Sequence, residues 1–248
     1  MLSVCFWMDL HQERTWIVAL SLAAPLSFTW SSYLKECLSE LLGTYILVFI
    51  GSGSVVVVSL FQFITSAEAL TFVALVFGCT VASIIIVLGR HSGAHVNPAI
   101  SVASAVADSS KRRSLAPYIV FQIAGALFAG LAPSVYLGST RLGLGITPAE
   151  GIALEALGTF VLAISALSAV SFFSHPVKQA ALVGTTLVAL ILVLGPLTGA
   201  SFNPSRSFGP SLFSGYAANQ FVYWVGPLLG AVLAGSAFAL VRKSNGRR

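Results

Sequence analysis

Charge is what this sequence lacks. Asp, Glu, Lys and Arg make up 8% of its 248 residues, against about 25% in an ordinary soluble domain. A globule of this size with so few charges cannot cover its surface with polar groups, and the mean hydropathy of +0.91 agrees. A chain that spans the lipid bilayer several times is expected. Acidic residues are scarcer than basic ones, 8 against 13. The basic residues fall at the ends of apolar segments, as in Lys111-Arg112-Arg113, Arg242-Lys243 and Arg247-Arg248. That placement argues against a nucleic-acid partner and for a positive cytoplasmic rim. The three cysteines, Cys5, Cys37 and Cys79, are scattered, so neither a disulfide framework nor a metal site is expected. No nucleophile–base pair suggests an enzyme, and no cofactor is implied.

Long apolar runs are what the sequence does have. A span needs roughly 20 apolar residues, and six segments qualify: 38–63, 70–89, 115–137, 151–173, 179–195 and 221–241. Residues 16–30 are also apolar but short, and Pro25 interrupts them. A seventh span there would put the amino terminus outside. A surface-lying segment, or a translation start set too far upstream, is the expectation adopted.

Two connections differ from the rest. Ser92-Gly93-Ala94-His95-Val96-Asn97-Pro98-Ala99 follows the second span, and Thr198-Gly199-Ala200-Ser201-Phe202-Asn203-Pro204-Ser205-Arg206 follows the fifth. Asn caps a helix and Pro suits its first turn. About ten small or apolar residues follow each Asn-Pro, enough for a helix of roughly 15 Å, half a bilayer core. A non-helical lead-in at that depth is tolerated where it lines a wet cavity.

The flanking spans repeat as well. Glu40-Leu-Leu-Gly43-Thr44 matches Glu155-Ala-Leu-Gly158-Thr159, and Gln122-Ile-Ala-Gly125-Ala126 matches Pro227-Leu-Leu-Gly230-Ala231. Three spans per half is an odd number, so the second half enters the membrane from the opposite side and the repeat is inverted. With both termini inside, eleven of the 13 basic residues are cytoplasmic, and only Arg141 and Arg206 lie outward. The expected division is 1–32, a surface-lying or disordered extension; 33–137, the first repeat with the Asn97 half-helix; 138–149, an external loop; 150–241, the second repeat with the Asn203 half-helix; and 242–248, a basic cytoplasmic tail.

The twin Asn-Pro segments, the Glu-x-x-Gly-Thr repeats and Trp224-Val-Gly226-Pro227 resemble the aquaporins, the major intrinsic proteins. The resemblance covers about residues 34–241. It implies an all-α membrane fold of six transmembrane helices plus two re-entrant half-helices, and a homotetramer with one pore per subunit, in the cell membrane. Ser205 departs from the family's usual Ala; a small residue in the first turn of the half-helix, it is expected to be tolerated, with room for a local hydrogen bond.

The resemblance also implies roles. Asn97 and Asn203 mark the pore centre, where two half-helix N-termini place positive partial charge against cations and protons. Phe77, Ile191, Ala200 and Arg206 form the selectivity filter. Glu40, Glu155 and His95 support the loops. Alone, each residue has a plainer reading: an Asn that only caps, glycines that only permit packing, an Arg that snorkels to the surface.

Strict water channels typically carry His where this chain has Ile191, which points to a wider, greasier filter. Glycerol facilitators carry an acidic and a basic residue where this chain has Ser207 and Ser211, which points back to water. The expected function is a passive channel for water, with glycerol, ammonia or hydrogen peroxide as further solutes. The alternatives are a neutral-solute facilitator with little water preference and a non-conducting adhesion protein. A proton-coupled transporter would want unpaired central acids, and the sequence offers few.

Overall fold

The computed structural model describes residues 30–61, 65–136, 138–244 and 246. The chain divides into two compact units, Met1–Lys35 and Glu36–Arg248. Expectations for residues 1–29 lie outside the described residues, and the first unit enters the structure only through the start of the first helix. Everything below concerns the second unit.

Every regular element among the described residues is helical. In chain order they are α1 (Trp30–Leu60), α2 (Ser66–Ser92), α3 (Pro98–Ala107), α4 (Arg112–Gly130), the short α5 (Pro133–Tyr136), α6 (Pro148–Phe172), α7 (Pro176–Thr198), α8 (Pro204–Ser214) and α9 (Val222–Ser244). A single 3-10 turn, Ser109–Lys111, joins α3 to α4. At its start Asp108 accepts a hydrogen bond from Ser110 N at 2.9 Å. That bond holds the carboxyl below its ordinary pKa.

Local chemistry sets the helix ends. Thr65 and Glu68 form a reciprocal capping box at the start of α2, and Thr147 and Glu150 repeat it at the start of α6. At their other ends, α2 and α7 stop at Gly93 (φ 88°) and Gly199 (φ 78°). A left-handed turn of this kind favours glycine.

Among the described residues, five helices are long and apolar enough to cross a membrane: α1, α2, α6, α7 and α9. The sixth, α4, has 19 residues, about 28 Å at the rise of an α-helix. Arg112 and Arg113 in its first turn and Gln122 in its middle lower its apolarity. The apolar run predicts a span to residue 137, whereas the helix stops at Gly130. Pro133 disfavours helical backbone at the residue before it, so the chain turns and restarts as α5.

The packing follows the repeat. α2 lies against α7, and α6 against both α7 and α9. Each half-helix packs on the last long helix of the other half: α3 on α9, α8 on α4. The two half-helices also touch each other, so the molecule's centre is built from both repeats.

Candidate functional site

At that centre the two asparagines cross. Asn97 Oδ1 accepts from Ala99 N at 2.8 Å, and Asn203 Oδ1 accepts from Arg206 N at 3.3 Å, so each caps its own half-helix. The amide nitrogens go to the opposite half. Asn97 Nδ2 donates to Phe202 O at 2.8 Å, and Asn203 Nδ2 donates to Val96 O at 2.9 Å. Capping alone does not require that exchange.

The lead-ins are held from behind by buried carboxylates. Glu40 Oε1 accepts from Ser92 Oγ (2.6 Å) and His95 N (3.0 Å); its Oε2 accepts from Val96 N (2.6 Å) and Gln122 Nε2 (2.7 Å). In the second half Glu155 Oε1 accepts from Thr198 Oγ1 (2.7 Å) and Ser201 N (3.0 Å), and its Oε2 from Phe202 N (2.7 Å). Both glutamates are fully buried. Buried carboxylates need several donors to offset lost hydration, and the lead-in amides are among them.

This arrangement dictates where the carbonyls go. In a trans peptide the C=O points opposite to the N–H of the next residue. The N–H groups of His95 and Val96 face Glu40, so the Ala94 and His95 carbonyls face away from it. By the same rule the Ala200 and Ser201 carbonyls face away from Glu155. All four residues border one cavity of about 970 Å³. The conformation is strained: Ala94, Val96, Ala200 and Phe202 have φ of 49°, 44°, 46° and 52°, a region most side chains avoid. Counting Gly93 and Gly199, the same three places in the two halves carry it.

Phe77, Ile191, Ala200, Arg206, Asn97, Asn203 and His95 all line that cavity. Arg206 is buried, 5% exposed. Its Cζ lies 4.9 Å from the centre of the Phe77 ring, a cation–π contact. Its Nε and Nη1 have no hydrogen-bond partner among the described residues. Phe77 stands apart from the crossing. Val96 packs against Gly43 of α1, and Phe77 against Gly51 of the same helix. Eight residues of helix separate these levels by about 12 Å. His95 Nδ1 lies 3.1 Å from Ser101 Oγ. Ser205 is buried, and its hydroxyl has no partner among the described residues. The local bond allowed for there is not made.

Several supporting residues were not anticipated. Tyr118 donates to Ser92 O at 3.0 Å and Tyr223 to Thr198 O at 2.8 Å, bracing both helix ends alike. Ser101 of α3 accepts from Gln122 Nε2 at 3.0 Å. Its counterpart Ser207 of α8 instead accepts from Thr140 Oγ1 at 2.7 Å, out of the loop joining the halves. The tyrosines sit at matching places in the Gln122 and Pro227 segments, a signal the sequence carried. The Thr140 contact had none, because Pro227 offers no side-chain donor and the loop fills the gap.

Comparison with known proteins agrees with the fold. Residues 27–238 match the family profile described as "Major intrinsic protein". Aquaporin NIP1-1 of Zea mays is 33% identical over 222 residues, covering 86% of this chain and 77% of the maize protein. Aquaporin AqpM of Methanothermobacter marburgensis is 32% identical over 234 residues, covering 82% and 95%. Among solved structures, the aquaglyceroporin from Plasmodium falciparum superposes with a TM-score of 0.66 at 23% identity, covering 85% of this chain and 95% of that one. This last likeness concerns the fold.

Proposed function

The chain belongs to the major intrinsic protein family, integral membrane channels and not enzymes, and from that premise we propose that it conducts water first. Small neutral solutes such as glycerol, ammonia and hydrogen peroxide come second, and protons and ions are excluded. The observation that carries this reading is the crossed asparagine pair between two opposed half-helix starts. Two N-termini facing one point bring about half a positive charge each, which repels cations and welcomes a water oxygen. The outward-turned carbonyls of Ala94, His95, Ala200 and Ser201 supply acceptors in place of lost hydration.

Phe77, Ile191, Ala200 and Arg206 form the filter in this reading. Arg206 donates to the solute and repels cations. Ile191 and Ala200 give an apolar wall of little bulk, which favours a second reading: a neutral-solute facilitator with little preference for water. Glu40, Glu155 and His95 hold the lead-ins. We assign a homotetramer in the cell membrane with cytoplasmic termini, on the strength of the family and the basic-residue asymmetry.

Purified protein in lipid vesicles tests this directly. After an osmotic jump the vesicles are expected to shrink faster than empty ones, with no added proton leak. Water permeability equal to that of empty vesicles rejects the proposal, and a proton leak rejects the exclusion mechanism. A glycerol rate that matches or exceeds the water rate selects the facilitator reading.

A further inference from the structure

We propose that Gly51 sets how far the Phe77 ring reaches into the cavity, and so which solutes pass. The proposal rests on the reading of Phe77 as a filter wall. Gly51 is a buried residue of α1. A Cβ placed there would lie no more than 2.6 Å from three carbons of the Phe77 ring. Ordinary carbon–carbon contacts lie near 3.5–4.0 Å, so the ring would have to retreat by about 1 Å. The three nearest atoms all belong to the far end of one side chain, and none is backbone. Relief therefore comes from swinging the ring, not from parting the helices. The ring touches α1 on one side and borders the cavity on another. Retreat from α1 moves it into the lumen.

The inverted repeat supplies an internal comparison. The match that carries Glu40 onto Glu155 carries Gly51 onto Ala166. The match that carries Asn97 onto Asn203 carries Phe77 onto Val183. Gly78 and Gly184, the next pair in that register, pack against each other between α2 and α7. Ala166 and Val183 border the same cavity. Glycine thus stands behind the ring, and a methyl stands where the ring is replaced by a small branched side chain. The remaining filter residues, Ile191, Ala200 and Arg206, map in the same way onto Ile85, Ala94 and Ile100, which are also cavity-lining. The cytoplasmic counterpart of the filter is wholly aliphatic, and the aromatic constriction is a feature of one half only. Gly51 is what makes room for it.

A double-mutant cycle tests this, using water and glycerol permeabilities of vesicles carrying the full chain, Gly51→Ala, Phe77→Ala or both. Gly51→Ala is expected to lower glycerol permeability by at least about tenfold and water permeability by less, because the pore diameter is what changes. In the Phe77→Ala background the same replacement should leave both within about twofold, since the two sites act through one contact. Where glycerol does not pass the parent channel, water permeability alone carries the comparison. Equal losses in both backgrounds overturn the proposal, because the methyl then acts through helix packing. A glycerol-to-water ratio unchanged by Phe77→Ala overturns the filter reading and this inference with it. A changed ratio in Phe77→Ala beside a Gly51→Ala channel identical to the parent overturns the role of Gly51 alone. Should Gly51→Ala fail to fold, folding of the double variant supports the ring contact, and its failure rejects it.

Discussion

Glu40 accepts four hydrogen bonds with two oxygens. An amide in its place keeps one acceptor and turns an NH2 toward groups that are themselves donors. Leaving a buried donor unmet costs about 1–3 kcal/mol. Glu40→Gln is therefore expected to lower thermal stability in detergent by an amount of that order. Glu155→Gln should cost less, because Glu155 accepts three bonds and has no glutamine pressed on it. Unfolding followed by intrinsic fluorescence checks both, and the reverse order of losses contradicts the argument. At this scale the sequence was legible wherever the repeat doubled a residue: the two glutamates stand out because they recur. Gln122 recurs only as Pro227, and Thr140 not at all, so their bonds to Ser101 and Ser207 emerged only once the helices were in place.

The half-helices were the most legible elements, because Asn-Pro both caps and preorganises a helix start. The end of α4 was hidden. Apolar residues run on past Gly130, and only the backbone restriction imposed by Pro133 explains the early stop. The elements also explain how distant residues meet. Phe77 comes from α2, Ile191 from α7, and Ala200 and Arg206 from the second lead-in and α8, yet all border one cavity. Ile191→His puts a polar, ring-bearing side chain on the α7 wall and should reduce glycerol flux relative to water. The two rates measured on one vesicle preparation check this. An unchanged ratio removes Ile191 from the filter.

Across the whole molecule, charge asymmetry and repeat geometry agree. The last turn of α9 carries Arg242 and Lys243, and Arg90 and His91 lie in the last turn of α2. With α9 ending inside, the segment after residue 241 should be cut by protease in inverted membrane vesicles and spared in intact cells. Cleavage in intact cells would reverse the orientation. Six spans and an inverted repeat could be read from periodicity and motif order. The way the halves interlock could not, because it depends on contacts more than a hundred residues apart.

That interlocking bears on biogenesis. A ribosome delivers α3 to the membrane before α6, α7 and α8 have been synthesised. At that moment Asn97 lacks Phe202 O, and Val96 O lacks Asn203, while the left-handed backbone of Ala94 and Val96 must already be adopted or deferred. The first re-entrant loop can therefore take its final form only after the second has arrived. Insertion of this chain ends with a late joining of two half-built structures, each completing the other, and a chain halted before Asn203 holds the first loop without its central clasp.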